Sequence, residues 1–188
     1  MEFREDTYMS YTIDEVMNRD DRVEIINGAL ITNAATTTTH AWVVTEMGYA
    51  FRQYIKEHDG ECMIFHESVN LYCDELADFT SQEWYEPDIM VVCDRAGIKD
   101  NGIHTVPKFI AEITSPSTKR FDYSVKLSTY QRIGVPEYWV VDIQKGAVVK
   151  YLKDNDYAPI IMTDMSHLEV SVFPELIIDV SEYVNLLS

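Results

Sequence analysis

Apolar residues recur along this chain at two spacings, and the switches between them mark out its elements. From about Thr39 to His58, the residues Trp42, Val43, Met47, Ala50, Phe51 and Tyr54 fall three and four apart. That spacing predicts an amphipathic helix, stopped near Gly60. A second helix is expected over Asp122–Ile133, where Val125, Leu127, Tyr130 and Ile133 precede Gly134 and Pro136, a helix stop. A short one is expected at Tyr11–Met17, with Thr12 as N-cap and Glu15 completing a capping box.

The remaining apolar runs are short and rich in Val and Ile. Val23–Ile26 and Ala29–Thr32 flank Asn27-Gly28, a dipeptide that favours a type I′ turn, so they read as a hairpin. Four further strands are expected at Cys62–Tyr72, Ile89–Cys93, Phe109–Thr114 and Tyr138–Ile143. The last three are apolar on both faces, the pattern of strands inside a sheet. The helix at 122–133 lies between two of them, which makes a crossover unit with parallel neighbours. Ala147–Leu152 adds a hairpin strand after the Gln144-Lys145-Gly146 turn. The class is α/β, or α+β with a mixed sheet, in one domain spanning residues 1–188.

Composition removes several alternatives. A chain with 46% hydrophobic residues is too apolar to be disordered, even at a formal charge of −17. No apolar run reaches the roughly 18 residues of a membrane span. The acidic start, MEFREDTYMSYT, lacks the apolar core of a secretory signal, so a cytoplasmic protein is expected. Cys62, Cys73 and Cys93 show no metal-finger spacing and are expected as buried thiols in a reducing compartment.

The charge is uneven. Residues 1–88 carry 5 basic and 19 acidic side chains, residues 89–188 carry 10 and 13. Between Val106 and Arg132 the sign reverses, with Lys108, Lys119, Arg120, Lys126 and Arg132 against Glu112 and Asp122. An acidic chain repels polyanions at long range, so nucleic-acid binding would have to use such a local island.

Two carboxylates are hard to explain by solvation. Asp88 leads directly into Ile89-Met90-Val91-Val92, and Glu112 interrupts Phe109-Ile110-Ala111-Glu112-Ile113. An unpaired buried carboxylate costs several kcal/mol, so Glu112 needs a cation, donors or a proton unless it turns to solvent at the strand end. Two such acids on neighbouring strands repel each other unless a metal lies between them, and oxygen donors suit Mg²⁺ or Mn²⁺. Asp122, Lys126 and Tyr130 share one helix face at i, i+4, i+8. Spacing leaves open whether Lys126 merely pairs with Asp122 in solvent or stands beside the carboxylates.

An ordered set of motifs resembles the Uma family of restriction-endonuclease-like proteins, within the PD-(D/E)XK nuclease superfamily. The set comprises Tyr85-Glu86-Pro87-Asp88-Ile89-Met90-Val91-Val92, Ile110-Ala111-Glu112-Ile113-Thr114-Ser115-Pro116-Ser117-Thr118, Asp122 with Lys126 and Tyr130, and Gly134-Val135-Pro136-Glu137-Tyr138-Trp139-Val140-Val141-Asp142. The likeness runs from about Tyr11 to Val184. It implies a central mixed sheet flanked by helices, with Asp88, Glu112 and the backbone carbonyl of Ile113 as metal ligands. The superfamily lysine two residues after the glutamate is Thr114 here, and the resemblance moves that role to Lys126. Glu24 and His40 also match family positions and are second-tier site candidates, while Asp142 reads as a turn residue.

The implied activity is Mg²⁺- or Mn²⁺-dependent hydrolysis of phosphodiester bonds in DNA, with Lys108, Lys119, Arg120 and Arg132 on neighbouring phosphates. Double-strand cleavage would take two sites, hence a homodimer. The acidic first half instead suits a catalytically silent, nuclease-like module for an unknown basic protein partner.

Overall fold

The computed structural model describes residues 23–26, 29–32, 37–73, 83–115 and 118–182. The expected Tyr11–Met17 helix and the Asn27-Gly28 turn lie outside them. In chain order the strands are β1 (Val23–Ile26), β2 (Ala29–Thr32), β3 (Met63–His66), β4 (Leu71–Tyr72), β5 (Trp84–Tyr85), β6 (Ile89–Val92), β7 (Ile98–Lys99), β8 (Gly102–Ile103), β9 (Phe109–Ile113), β10 (Glu137–Asp142), β11 (Ala147–Leu152), β12 (Ile160–Met162), β13 (Leu168–Glu169) and β14 (Ile177–Ile178). Helix α1 spans Thr38–Glu57, and the continuous helical segment from Lys119 to Ile133 is α2.

The central sheet has the order β12-β11-β10-β9-β6-β3. Only β9 and β10 run parallel in it, joined by the α2 crossover, and every other pair is antiparallel. The sheet is therefore mixed. A second sheet, β2-β1-β5-β4-β8-β7, lies beside it, and β1 and β2 pair with Ile26 opposite Ala29, the hairpin register expected. Among the described residues no helix is long and apolar enough to cross a membrane.

Each face of the central sheet has its own helix. Val43, Val44, Met47, Phe51 and Ile55 of α1 pack on Ile89, Val91, Phe109, Ala111, Ile113, Trp139 and Val141. The opposite side chains, Met90, Val92, Ile110, Tyr138 and Val140, cluster with Tyr130 of α2 and with Leu71 and Tyr85 of the second sheet. Alternation along each strand divides the two sets. Close approach of α1 to β3 depends on Gly48, where a Cβ would stand 2.2 Å from His66 Cε1.

Four sequence expectations are corrected. The single strand at Cys62–Tyr72 is two, because the chain leaves the central sheet after His66, passes through Ser68 at φ 67° and joins the second sheet at Leu71. Trp42 is 46% exposed, and α1 turns Val43 and Val44 inward instead. Helix α2 starts three residues early, and its middle turn, Asp122–Lys126, is a π-helical segment, a widening often found at functional sites. Cys62 and Cys93 are not thiols but a disulfide joining the start of β3 to the residue after β6, because the β3–β6 register sets them opposite each other. Cys73 is a buried thiol.

Candidate active site

Strand register brings the acids together. His66 opposes Ile89 on β6, and Ile89 opposes Ala111 on β9. One step further along both ladders, Glu67, Asp88 and Glu112 occupy a single rung at the same end of three adjacent strands. Directly opposed residues of antiparallel strands point to one face. The backbone closes the rung, with the Glu67 N–H donating to the Asp88 carbonyl at 3.4 Å and the Ile113 N–H donating to Asp88 Oδ2 at 2.7 Å.

His40 reaches this rung from the first turn of α1, where the Thr37 hydroxyl accepts its backbone N–H at 3.2 Å. Its Nε2 lies 3.0 Å from Glu67 Oε1 and 3.1 Å from Asp88 Oδ1. That nitrogen is buried and lies between the two carboxylates. One imidazole nitrogen carries at most one proton and cannot serve two carboxylates at once. The three donor atoms lie within 4.8 Å of one another, a nitrogen-and-oxygen set that fits a divalent cation. Burial opposes charge on His40, but hydrogen bonding and attraction from Asp88, then Glu67, outweigh it and raise its pKa above 6.5.

Helix α2 supplies the rest. Asp122, Lys126 and Tyr130 are 2%, 6% and 0% exposed, so the solvated Asp–Lys alternative does not hold. Lys126 Nζ is 3.0 Å from Glu112 Oε1 and 3.9 Å from Asp122 Oδ1, and Tyr130 donates its hydroxyl to the same Glu112 oxygen at 2.8 Å. Burial pushes the Asp122 carboxyl up, against the pull of Lys126 and of the Thr114 and Thr118 hydroxyls, with Asp88 adding to the rise. The Tyr138 hydroxyl, which donates to the Asp122 carbonyl at 3.0 Å, is pushed far up by burial and by Glu112, Asp122 and Asp88. Glu67, Asp88 and His40 offer ligand atoms to a cation, and the buried Lys126 ammonium offers positive charge to an anionic group.

The expected site residues separate into three groups. Asp88, Glu112, Lys126 and His40 gather at one end of the sheet, and the Ile113 backbone joins them through its N–H. Glu24 lies in β1 opposite Ile31, in the second sheet. The basic island does not form one surface. Lys119 at the start of α2 pairs with Asp142, and Arg120 beside it is exposed. Arg132 donates to the Cys73 carbonyl at 3.1 Å and pairs with Glu83. Lys108 precedes β9, at the end away from Glu112, with its ammonium 4.6 Å from the Phe173 ring centroid. Asp142 closes a turn as expected, accepting the Lys145 N–H at 3.2 Å.

Sequence reasoning missed Glu67. It follows a strand whose end is invisible in the hydrophobic pattern, and only the antiparallel register sets it against Asp88.

The fold has a counterpart among solved structures. The crystal structure of a putative nuclease belonging to DUF820 from Anabaena variabilis superposes with a TM-score of 0.72 at 18% identity, covering 95% of this chain and 99% of that one. The two chains thus share a fold. The family model for Uma2, described as a putative restriction endonuclease, matches residues 6–181, and the chain belongs to that family. No curated protein matches it.

Proposed function

We propose that this protein is a metal-dependent endonuclease that hydrolyses phosphodiester bonds in DNA. The observation that carries the reading is the single rung of Glu67, Asp88 and Glu112, flanked by His40 and by Lys126. Lys126 offsets the charge of Glu112, while His40 Nε2 between the other two carboxylates completes a donor set that suits a divalent cation.

Glu67, Asp88 and His40 would hold Mg²⁺ or Mn²⁺, with Glu112 beside them. The imidazole donor leans the site toward Mn²⁺, since hard Mg²⁺ prefers oxygen. A bound ion supplies an acidified water and charge neutralisation on the phosphate. Tyr130 and Lys126 fix Glu112 by converging on Oε1. The Lys126 ammonium, held in a buried setting, counters charge that grows on the phosphate oxygens during attack. Tyr85 lies under that ammonium, with its ring centroid 5.8 Å from Nζ, and limits where it can move. Double-strand cleavage takes two such sites, which calls for a two-fold dimer.

Plasmid nicking tests the reading. In Mn²⁺ and low salt the protein converts supercoiled plasmid to open circles, chelation stops it, and Glu112→Gln lowers the rate at least about 10²-fold. A Glu112→Gln protein as fast as the wild type would falsify the assignment. A folded wild type that takes up Mn²⁺ but leaves plasmid intact would make the chain a silent, nuclease-like module.

A further inference from the structure

A cleft of about 210 Å³ opens beyond the carboxyl ends of the parallel strands β9 and β10, lined by Thr114, Ser115, Lys119, Asp142, Gln144 and Lys145. We infer that it seats a second phosphodiester of the bound nucleic-acid strand, next to the one that reacts, with Lys145 and Lys119 as its cations. This rests on the nuclease reading above.

Position comes first. Thr114 is two residues beyond Glu112, about 7 Å along an extended chain. Phosphates along one DNA strand are spaced about 3.4 Å apart along the axis, so one or two nucleotide steps cover that distance. Size agrees with a single group, since the cleft is smaller than the roughly 300 Å³ at which sites for whole small-molecule ligands begin.

Charge agrees as well. Among the described residues Asp142 is the only acid on the wall, and its two oxygens are engaged there, Oδ1 by the Lys145 N–H and Oδ2 by the Lys119 ammonium. It acts as an internal counter-ion that holds Lys119 in place. Lys145 makes no ion pair among the described residues and leaves the wall net positive. In a chain of charge −17 a local positive seat is what a polyanion would need. The Thr114 hydroxyl, which also supports Asp122, ties this wall to the Lys126 cluster.

The test is DNA binding against salt, read by fluorescence anisotropy of a short labelled duplex in Ca²⁺. Lys145→Gln is the chief variant, because Lys119→Gln would leave Asp142 without its cation and could unsettle the fold. Lys145→Gln weakens binding about fivefold or more and lowers the slope of log affinity against log salt by about one, and Lys145→Arg keeps the wild-type slope. Mn²⁺ uptake stays at the wild-type level in both. A Lys145→Gln protein with wild-type affinity and slope overturns the inference, and the nuclease reading survives if the wild type still nicks plasmid. Displacement of the duplex by micromolar inorganic phosphate marks a small-anion site and overturns the strand assignment. A wild type that neither binds duplex nor nicks plasmid overturns both.

Discussion

Glu112 and Glu137 are both buried glutamates in apolar strands, 3% and 0% exposed, yet they sit at opposite ends and on opposite faces of the β9–β10 pair. Glu137 faces the α1 side. Its two oxygens are divided between the Trp139 indole N–H at 2.7 Å and the Val172 backbone N–H at 2.8 Å. Burial raises its pKa, and those donors together with Lys150 oppose the rise. The carboxylate thereby staples the segment after β13 to the sheet. At Glu112, Lys126 and Tyr130 converge on one oxygen, and Lys126 is drawn toward Asp122 too. Glu137 is bonded to neutral N–H donors of the protein frame, whereas Glu112 shares a buried cation with a second acid.

The largest break in this contrast is Lys126→Met. It leaves Glu112 and Asp122 buried without their shared cation, so unfolding in urea should show a loss of about 3–5 kcal/mol. In protein still folded, the nicking rate falls about 10²-fold or more while Mn²⁺ uptake survives. Lys126→Arg recovers much of the stability and little of the rate, because a planar fork does not replace a compact ammonium. A Met variant of wild-type rate would reduce Lys126 to a structural counter-ion and make the two glutamates alike.

Glu137→Gln comes next. A glutamine must turn its NH₂ toward one of two N–H donors, leaving a buried donor unmet at about 1–3 kcal/mol. Thermal melts should register that loss, while nicking and metal uptake hold at wild-type values. If activity fell in step with stability, the two regions would not be separable. The smallest effect is Tyr130→Phe, which keeps the ring packed against Tyr85 and Tyr138 and removes the hydroxyl that donates to Glu112. It should cost about 1 kcal/mol of stability. Its nicking rate should fall by less than that of Lys126→Met, since the ammonium remains on Glu112.

Much of this was legible in the sequence because it depends on short-range pattern. Helix α1, the α2 crossover and strands β6, β9, β10 and β11 follow from periodicity, Gly134 and the hairpin turn at Lys145-Gly146. Glu112 stood out as a charge in an apolar run, and Lys126 entered through its helical spacing and the family resemblance. What escaped depends on long-range register. Glu67 becomes a neighbour of Asp88 only once β3 is laid antiparallel to β6, and the same pairing joins Cys62 to Cys93. The dispersal of Lys108 and Arg132 was equally hidden, because a run of like charges in sequence says nothing about which strand end or helix face each one occupies. Glu137 passed as part of a motif, since its partner Val172 is 35 residues away.

The edge position of β3 has a consequence for how the molecule breathes. Among the described residues β3 is the last strand on its side of the central sheet, bonded to β6 alone, and the Cys62–Cys93 bridge clamps only its beginning. Its other end carries Glu67 into the turn at Ser68. Partial opening of a native protein begins where the fewest bonds must break. Fraying of β3 is therefore directional: the covalently tied end stays, and the end that lets go first is the one that holds an acid against Asp88 and His40. A cation seated there would oppose that fraying, so occupancy and local rigidity rise and fall together.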